Sequence, residues 1–103
     1  MTHEQTCLTG YQAMQRTKKA RTVLYDALDA ARRGEYVKAE HLVDEAGDLI
    51  SEAQEEVSKV YGHSDVVYEQ GSNHIQTMIV FRDLVKDMTR HKPMLPGLYR
   101  RYS

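Results

Sequence analysis

At 103 residues the chain has the length of one domain. Its 14 Lys and Arg against 15 Asp and Glu leave a formal net charge of -1, which excludes the marked basic excess of a general nucleic-acid binder. Composition is 41% hydrophobic, yet the longest apolar run is only Met78 to Phe81, which excludes a membrane span of about 20 apolar residues. The first ten residues lack the basic and apolar regions of a secretory signal, so a cytoplasmic protein is expected. The single cysteine, Cys7, has no second thiol for a disulfide or a metal cage and is expected to be a small packing residue.

Thr2 and Gln5 have the spacing of a capping box. Leu8, Tyr11, Met14, Ala20, Val23, Leu24, Ala27, Leu28 and Ala31 then follow a helical period, weakest at Thr17 and Lys18. This predicts a first helix over residues 3–33, closed by Arg32, Arg33 and the C-terminal signal Gly34. The short connection through Glu35 and Tyr36 forces an antiparallel return. Val37, Leu42, Val43, Ala46, Leu49, Ile50, Ala53, Val57, Val60 and Tyr61 predict a second helix over 37–61, close to a 3.5-residue repeat. Its outer face is acidic, and the neighbouring helices are basic enough to flank it, an arrangement worth about 0–1 kcal/mol per exposed pair.

Gly62 to Asp65 breaks the chain again, with Ser64 or Asp65 able to cap a third helix over 65–92. Pro93 and Pro96 stop that helix, leaving a tail over 93–103. The fold class is therefore all-α: one domain over residues 1–103, an antiparallel three-helix bundle. Such a thin bundle with near-3.5 spacing suits association through coiled-coil-like seams.

The third helix holds the candidate site. Val67, Gly71, His74, Ile75, Met78, Phe81, Val85 and Met88 give it a packing face, and Gln70, Ser72, Asn73, His74, Gln76 and Thr77 interrupt that face. Amides and an imidazole in a seam either hydrogen-bond across an interface or do chemistry. His3, His41 and His91 are too scattered for a helical metal pair and read as surface residues, and His63 reads as solvated in a turn. Tyr11, Tyr25, Tyr36 and Tyr61 read as core or interface. The tail Tyr99-Arg100-Arg101-Tyr102 is too short to indicate nucleic-acid binding and reads as a disordered or partner-docking end. With no glycine-rich phosphate loop and no nucleophile elbow, independent catalysis is not expected.

The order Ala20-Arg21-Thr22, Tyr25-Asp26-Ala27-Leu28, Ala30-Ala31, Gly34-Glu35-Tyr36, Ala39, Glu52-Ala53 and Asn73-His74-Ile75-Gln76-Thr77 resembles a known family. It is similar to the lactose/cellobiose-type enzyme IIA of the bacterial sugar phosphotransferase system. That family shows A-R-S, A-L, A, G-D-F, A and E-A-H over two helices and D-H-L-M-T in the third. The resemblance covers residues 15–92 and implies a three-helix subunit that assembles as a homotrimer. It also implies receipt of a phosphoryl group from the carrier protein HPr on a histidine, and delivery to a IIB protein. Histidine suits that task because a neutral imidazole nitrogen is nucleophilic near pH 7.

The family's H-A-Q-D-H-L-M-T signature places the acceptor four residues before His74, at Gln70, which is not a nucleophile. Its metal-facing aspartate falls on Asn73, and the histidine of E-A-H falls on Gln54. The resemblance thus implies a retained fold with phosphocarrier chemistry altered or lost. Gln54, Asn73 and His74 are the active-site-equivalent residues. His74 is the fallback acceptor, set against a histidine that hydrogen-bonds at a subunit interface. No cofactor and no metal is expected, because hard cations favour carboxylate oxygen over the amide of Asn73. The implied partners are further copies of the chain and HPr-like or IIB-like proteins, with no nucleic acid and no membrane insertion. The alternative is a non-catalytic regulatory or scaffolding protein that binds phosphotransferase partners or a transcriptional regulator. A helical oligomer unrelated to sugar uptake is the third.

Overall fold

Three helices follow one another: α1 (His3–Arg32), α2 (Tyr36–Lys59) and α3 (Asp65–Arg90). The structure is a computed structural model and describes residues 1–90. His91, the expected last residues of the third helix, and the 93–103 tail with Tyr99 and Arg101 lie outside the described residues.

The helix ends follow from local chemistry. Gln5 N–H donates to Thr2 Oγ1 at 3.1 Å while Thr2 N–H donates to Gln5 Oε1 at 2.8 Å, completing the capping box. At the other end of α1 the chain turns at Gly34, whose φ of 80° is a left-handed conformation that a side chain would strain. The N–H groups of Gly34 and Glu35 then satisfy the carbonyls of Ala31 and Ala30. Gly62, at φ 82°, plays the same part between α2 and α3. Ser64 caps α3, its Oγ accepting from Val67 N–H at 3.3 Å.

Packing follows heptad arithmetic. Thr6, Ala13, Thr17, Ala20, Leu24 and Ala27 are buried on α1, and Ala39, Val43, Ala46, Ile50, Ala53 and Val57 on α2, with Val60 buried at its C-terminal cap. These α2 positions alternate steps of four and three residues, the spacing of a coiled-coil seam. An alanine at every seventh position of both helices, Ala13-Ala20-Ala27 and Ala39-Ala46-Ala53, lets the two backbones approach closely. The weak point of the α1 pattern closes because Thr17 is buried, its hydroxyl donating to Met14 O at 2.8 Å. Thr6 does the same to Thr2 O at 2.9 Å. A hydroxyl bonded to its own helix carries no unmet polar cost into the seam.

α3 packs on both helices through Gly71, Ile75, Met78, Val85 and Thr89. A Cβ added at Gly71 would lie 2.6 Å from Val57 Cγ2, and one at Gly10 would lie 2.5 Å from Val67 Cγ1. These two glycines set how closely α3 sits against α2 and α1.

Several residues expected on packing faces lie outside the core. Leu8, Tyr11, Tyr25, Val37, Tyr61 and Met88 are exposed, because the seams run one or more positions away from them. Tyr25 instead meets Phe81 edge-on at 5.2 Å, and Tyr61 meets Tyr68 at 5.1 Å. Cys7 is exposed, not packed, with its Sγ 3.7 Å from His3 Nε2 one turn away. His74 is also exposed, so the polar cluster of α3 flanks the core-facing stripe and does not interrupt it.

Candidate functional site

α3 divides its polar residues between two flanks. Residues three and four apart share a helix face, so Gln70, His74 and Thr77 align, while Ser72 and Gln76 point elsewhere. On the α1 side, Gln70, Asn73, His74 and Thr77 line an open groove of about 480 Å³ with Met14. It adjoins a recess of about 110 Å³ where Thr17, Lys18 and Arg21 of α1 face His74, Thr77 and Met78 of α3. Towards the start of the helices, Cys7, Gly10, Tyr11, Val67 and Gln70 line a further groove of about 210 Å³. On the α2 side, Gln54 joins Ser58, Tyr68, Ser72 and Gln76 around a groove of about 220 Å³.

Of the residues singled out in the sequence, the subunit thus brings Gln70, Asn73 and His74 together. Gln54 lies across α3 from them, and a direct hydrogen bond between Gln54 and Gln70 or Asn73 does not form among the described residues.

The charges of α1 differ in how they are used. Arg16 is bound to α2: its Nη1 donates to Glu52 Oε2 at 2.7 Å, and its Nε donates to Glu56 Oε1. The hydrogen bond that Arg16 donates to Glu56, reinforced by the charges of Glu56 and Glu52 and opposed by desolvation, raises the Arg16 pKa above its ordinary value. Glu56 is itself buried, and its second oxygen has no partner among the described residues. Of the interhelical pairing expected between the basic helices and acidic α2, this cluster is what forms between α1 and α2; Arg82 pairs with its neighbour Asp83. Lys18 and Arg21 form no ion pair among the described residues, and His74 makes no hydrogen bond among them.

The donor set around Asn73 contains no carboxylate: amides from Gln70 and Asn73, the Thr77 hydroxyl and the His74 ring. It does not fit the divalent cation that the resemblance associates with this position, since such a cation calls for carboxylates. No group of three or more His, Cys, Asp or Glu is gathered among the described residues. Nor is any helix among them long and apolar enough to cross a membrane.

Sequence reasoning found the α3 cluster but missed Lys18 and Arg21 as its neighbours across the groove. The available signal was the spacing of Met14, Thr17, Lys18 and Arg21, which places them on one side of α1. Which helix that side meets is decided by tertiary packing.

Fold and site together define a class: a three-helix subunit whose polar groups lie in open grooves on either side of α3. No established family profile matches the chain. Curated relatives do. A lactose-specific EIIA component of the PTS system from Streptococcus mutans is 31% identical over 96 residues, covering 85% of this chain and 92% of the relative. The component of the same name from Lactococcus lactis is 30% identical over 93 residues, covering 82% of this chain and 89% of the relative. That from Staphylococcus epidermidis is 29% identical over 96 residues, covering 85% and 92%. The crystal structure of PtcA from S. mutans superposes with a TM-score of 0.79 at 19% identity, over 90% of this chain and 99% of that one, and shows the fold. The chain belongs to the lactose-specific EIIA family of the PTS system.

Proposed function

We propose that the chain is an EIIA-type subunit of a lactose/cellobiose-class phosphotransferase system that does not carry phosphate at Gln70 and acts by binding the system's other proteins in the cytoplasm. The observation that carries this reading is Gln70 itself. It occupies the acceptor position implied by the resemblance and lies exposed in the α1/α3 groove, where a partner could reach it. Its amide nitrogen is delocalised into the carbonyl and cannot attack phosphorus as an imidazole does.

A homotrimer belongs to the same reading. Val66, Gln70, Asn73, Thr77, Val80 and Leu84 are exposed on α3 at alternating steps of four and three residues. This is the pattern of a second coiled-coil seam, unpartnered within one subunit. A closed cyclic assembly around such seams turns the α2 flank of one copy towards the α1 flank of the next. Gln54 of one subunit would then meet Gln70 of its neighbour, uniting positions that a single chain keeps apart.

A second reading, with His74 as a relocated acceptor, is favoured by its exposed imidazole one turn from Gln70. The binding role is tested by titrating unphosphorylated HPr-class and IIB-class proteins into the isotope-labelled chain. Saturable shifts centred on residues 66–77 are expected. Amide spectra unchanged at millimolar partner would overturn it.

A further inference from the structure

The end of the bundle away from Gln70 leaves acid unpaired. α2 carries seven carboxylates, and only Glu52 and Glu56 form ion pairs among the described residues, both with Arg16. Near the start of α2, Glu40, Val43 and Asp44 face Lys86 and Thr89 of α3 around a groove of about 250 Å³. Val43 and Thr89 are buried and floor it, while Glu40 and Asp44, four residues apart on one face, are exposed. Lys86 is the one cation lining the groove and forms no ion pair among the described residues. Val37, one turn before Glu40 on the same side of α2, is 68% exposed and adds an apolar side chain to the acidic line. The groove lies beyond Leu84, the last residue of the exposed α3 seam, and Thr89 stands one residue before the end of α3 at Arg90.

The sequence that follows Arg90 has the complementary chemistry. Residues 1–90 carry 11 Lys and Arg against 15 Asp and Glu, whereas residues 91–103 carry Lys92, Arg100 and Arg101 and no acid. Between those cations stand Met94, Leu95, Leu98 and Tyr99, with Tyr102 after them. We propose that the groove is a docking site for the chain's own residues 91–103, with Arg100 and Arg101 set against Glu40 and Asp44 and the apolar side chains against Val37 and Val43. A guanidinium matches a carboxylate through two parallel hydrogen bonds, which suits arginine to this pairing. Reach is ample: thirteen residues span up to about 43 Å, and the whole of α2 is about 36 Å long. Pro96-Gly97 is a turn signal near the middle of the segment and directs the two arginines back towards the helix end. Covalent attachment supplies an effective concentration on the order of mM, so contacts too weak to hold a free peptide suffice. This docking gives the Tyr99-Arg100-Arg101-Tyr102 motif a role that the partner-binding reading leaves unused. It concerns the opposite end of α3 and does not depend on that reading.

The test attaches a nitroxide to the whole chain at Ser103→Cys in a Cys7→Ser background, Cys7 being the single native thiol. Amide signals of residues 37–44 are expected to be broadened severalfold more than those of residues 52–59 at the far end of α2. Glu40→Lys/Asp44→Lys should remove most of that broadening, Arg100→Glu/Arg101→Glu should do the same, and the four changes together should restore it. Asp26→Lys/Glu55→Lys makes the same change of charge away from the groove and should leave the broadening intact. Circular dichroism confirms that each variant is helical. A tail that sampled this end of the bundle without docking would broaden the parent and all variants alike, and that result overturns the proposal, as does a parent in which residues 37–44 are not broadened. A second arm mixes isotope-labelled chains free of nitroxide with unlabelled chains that bear it. Little broadening of the nitroxide-free copies supports docking within one chain. Broadening of those copies as strong as in the parent would assign the groove to the tail of a second copy and overturn it.

Discussion

Glu56 is a buried carboxylate with one oxygen bound to Arg16 and the other unpartnered among the described residues. Removing Arg16 leaves a charge that is costly to bury alone, whereas replacing both members with apolar side chains removes that cost. Arg16→Met should therefore lower the melting temperature, and Arg16→Met/Glu56→Met should recover most of the loss. Arg33→Met, which breaks only exposed pairs with Asp29 and Glu35, should change it little. Thermal unfolding followed at 222 nm distinguishes these outcomes; equal effects of Arg16→Met and Arg33→Met would contradict the role given to Glu56. Hydropathy could not disclose this pair, because Glu56 reads as one more acid on the polar face of α2. For the same reason Thr6 and Thr17 were not legible as core. Their burial depends on hydroxyls that bond back to their own helix.

At the scale of the helices, the elements were legible because caps, glycine turns and heptads agree with one another. The capping box at Thr2, the turn at Gly34 and the alanine ladder of α2 each follow from residues read in order. The close approach of α3 was less legible, since Gly71 reveals itself as a contact only against Val57 of another helix. Gly71→Ala places a methyl group 2.6 Å from the stiff side chain of Val57. Overpacking of this kind costs about 1–3 kcal/mol, against about 1 kcal/mol gained in helix propensity, so a net loss of stability is expected. Urea denaturation should show a lower midpoint for Gly71→Ala, and Gly71→Ala/Val57→Ala should relieve the clash. An unchanged midpoint for Gly71→Ala would mean that α3 sits further from α2 than described.

For the whole molecule, the seam on the outer face of α3 is the feature that one copy cannot satisfy. Val80 and Leu84 are each 59% exposed, large apolar side chains aligned with Asn73 and Thr77. Light scattering should give a mass near three times the 11.9 kDa chain, and Leu84→Lys should reduce it to the single chain without loss of helicity. A parent protein that is monomeric at high concentration would contradict the trimer. The candidate site was legible only in part at this scale. The amides and His74 stand out in the sequence, but their division between two flanks, and the arrival of Lys18 and Arg21 opposite His74, exist only once α3 is placed.

In the function proposed above, Gln70 stands where a carrier presents an imidazole and the chain does not accept phosphate. It is tested most directly by incubating the protein with labelled phosphoenolpyruvate, enzyme I and HPr, beside a lactose-specific EIIA component that is active in the same mixture. Acid-labile label is expected on the active relative and none on this chain. Acid-labile label on this chain that disappears in His74→Ala would contradict it and establish His74 as a relocated carrier.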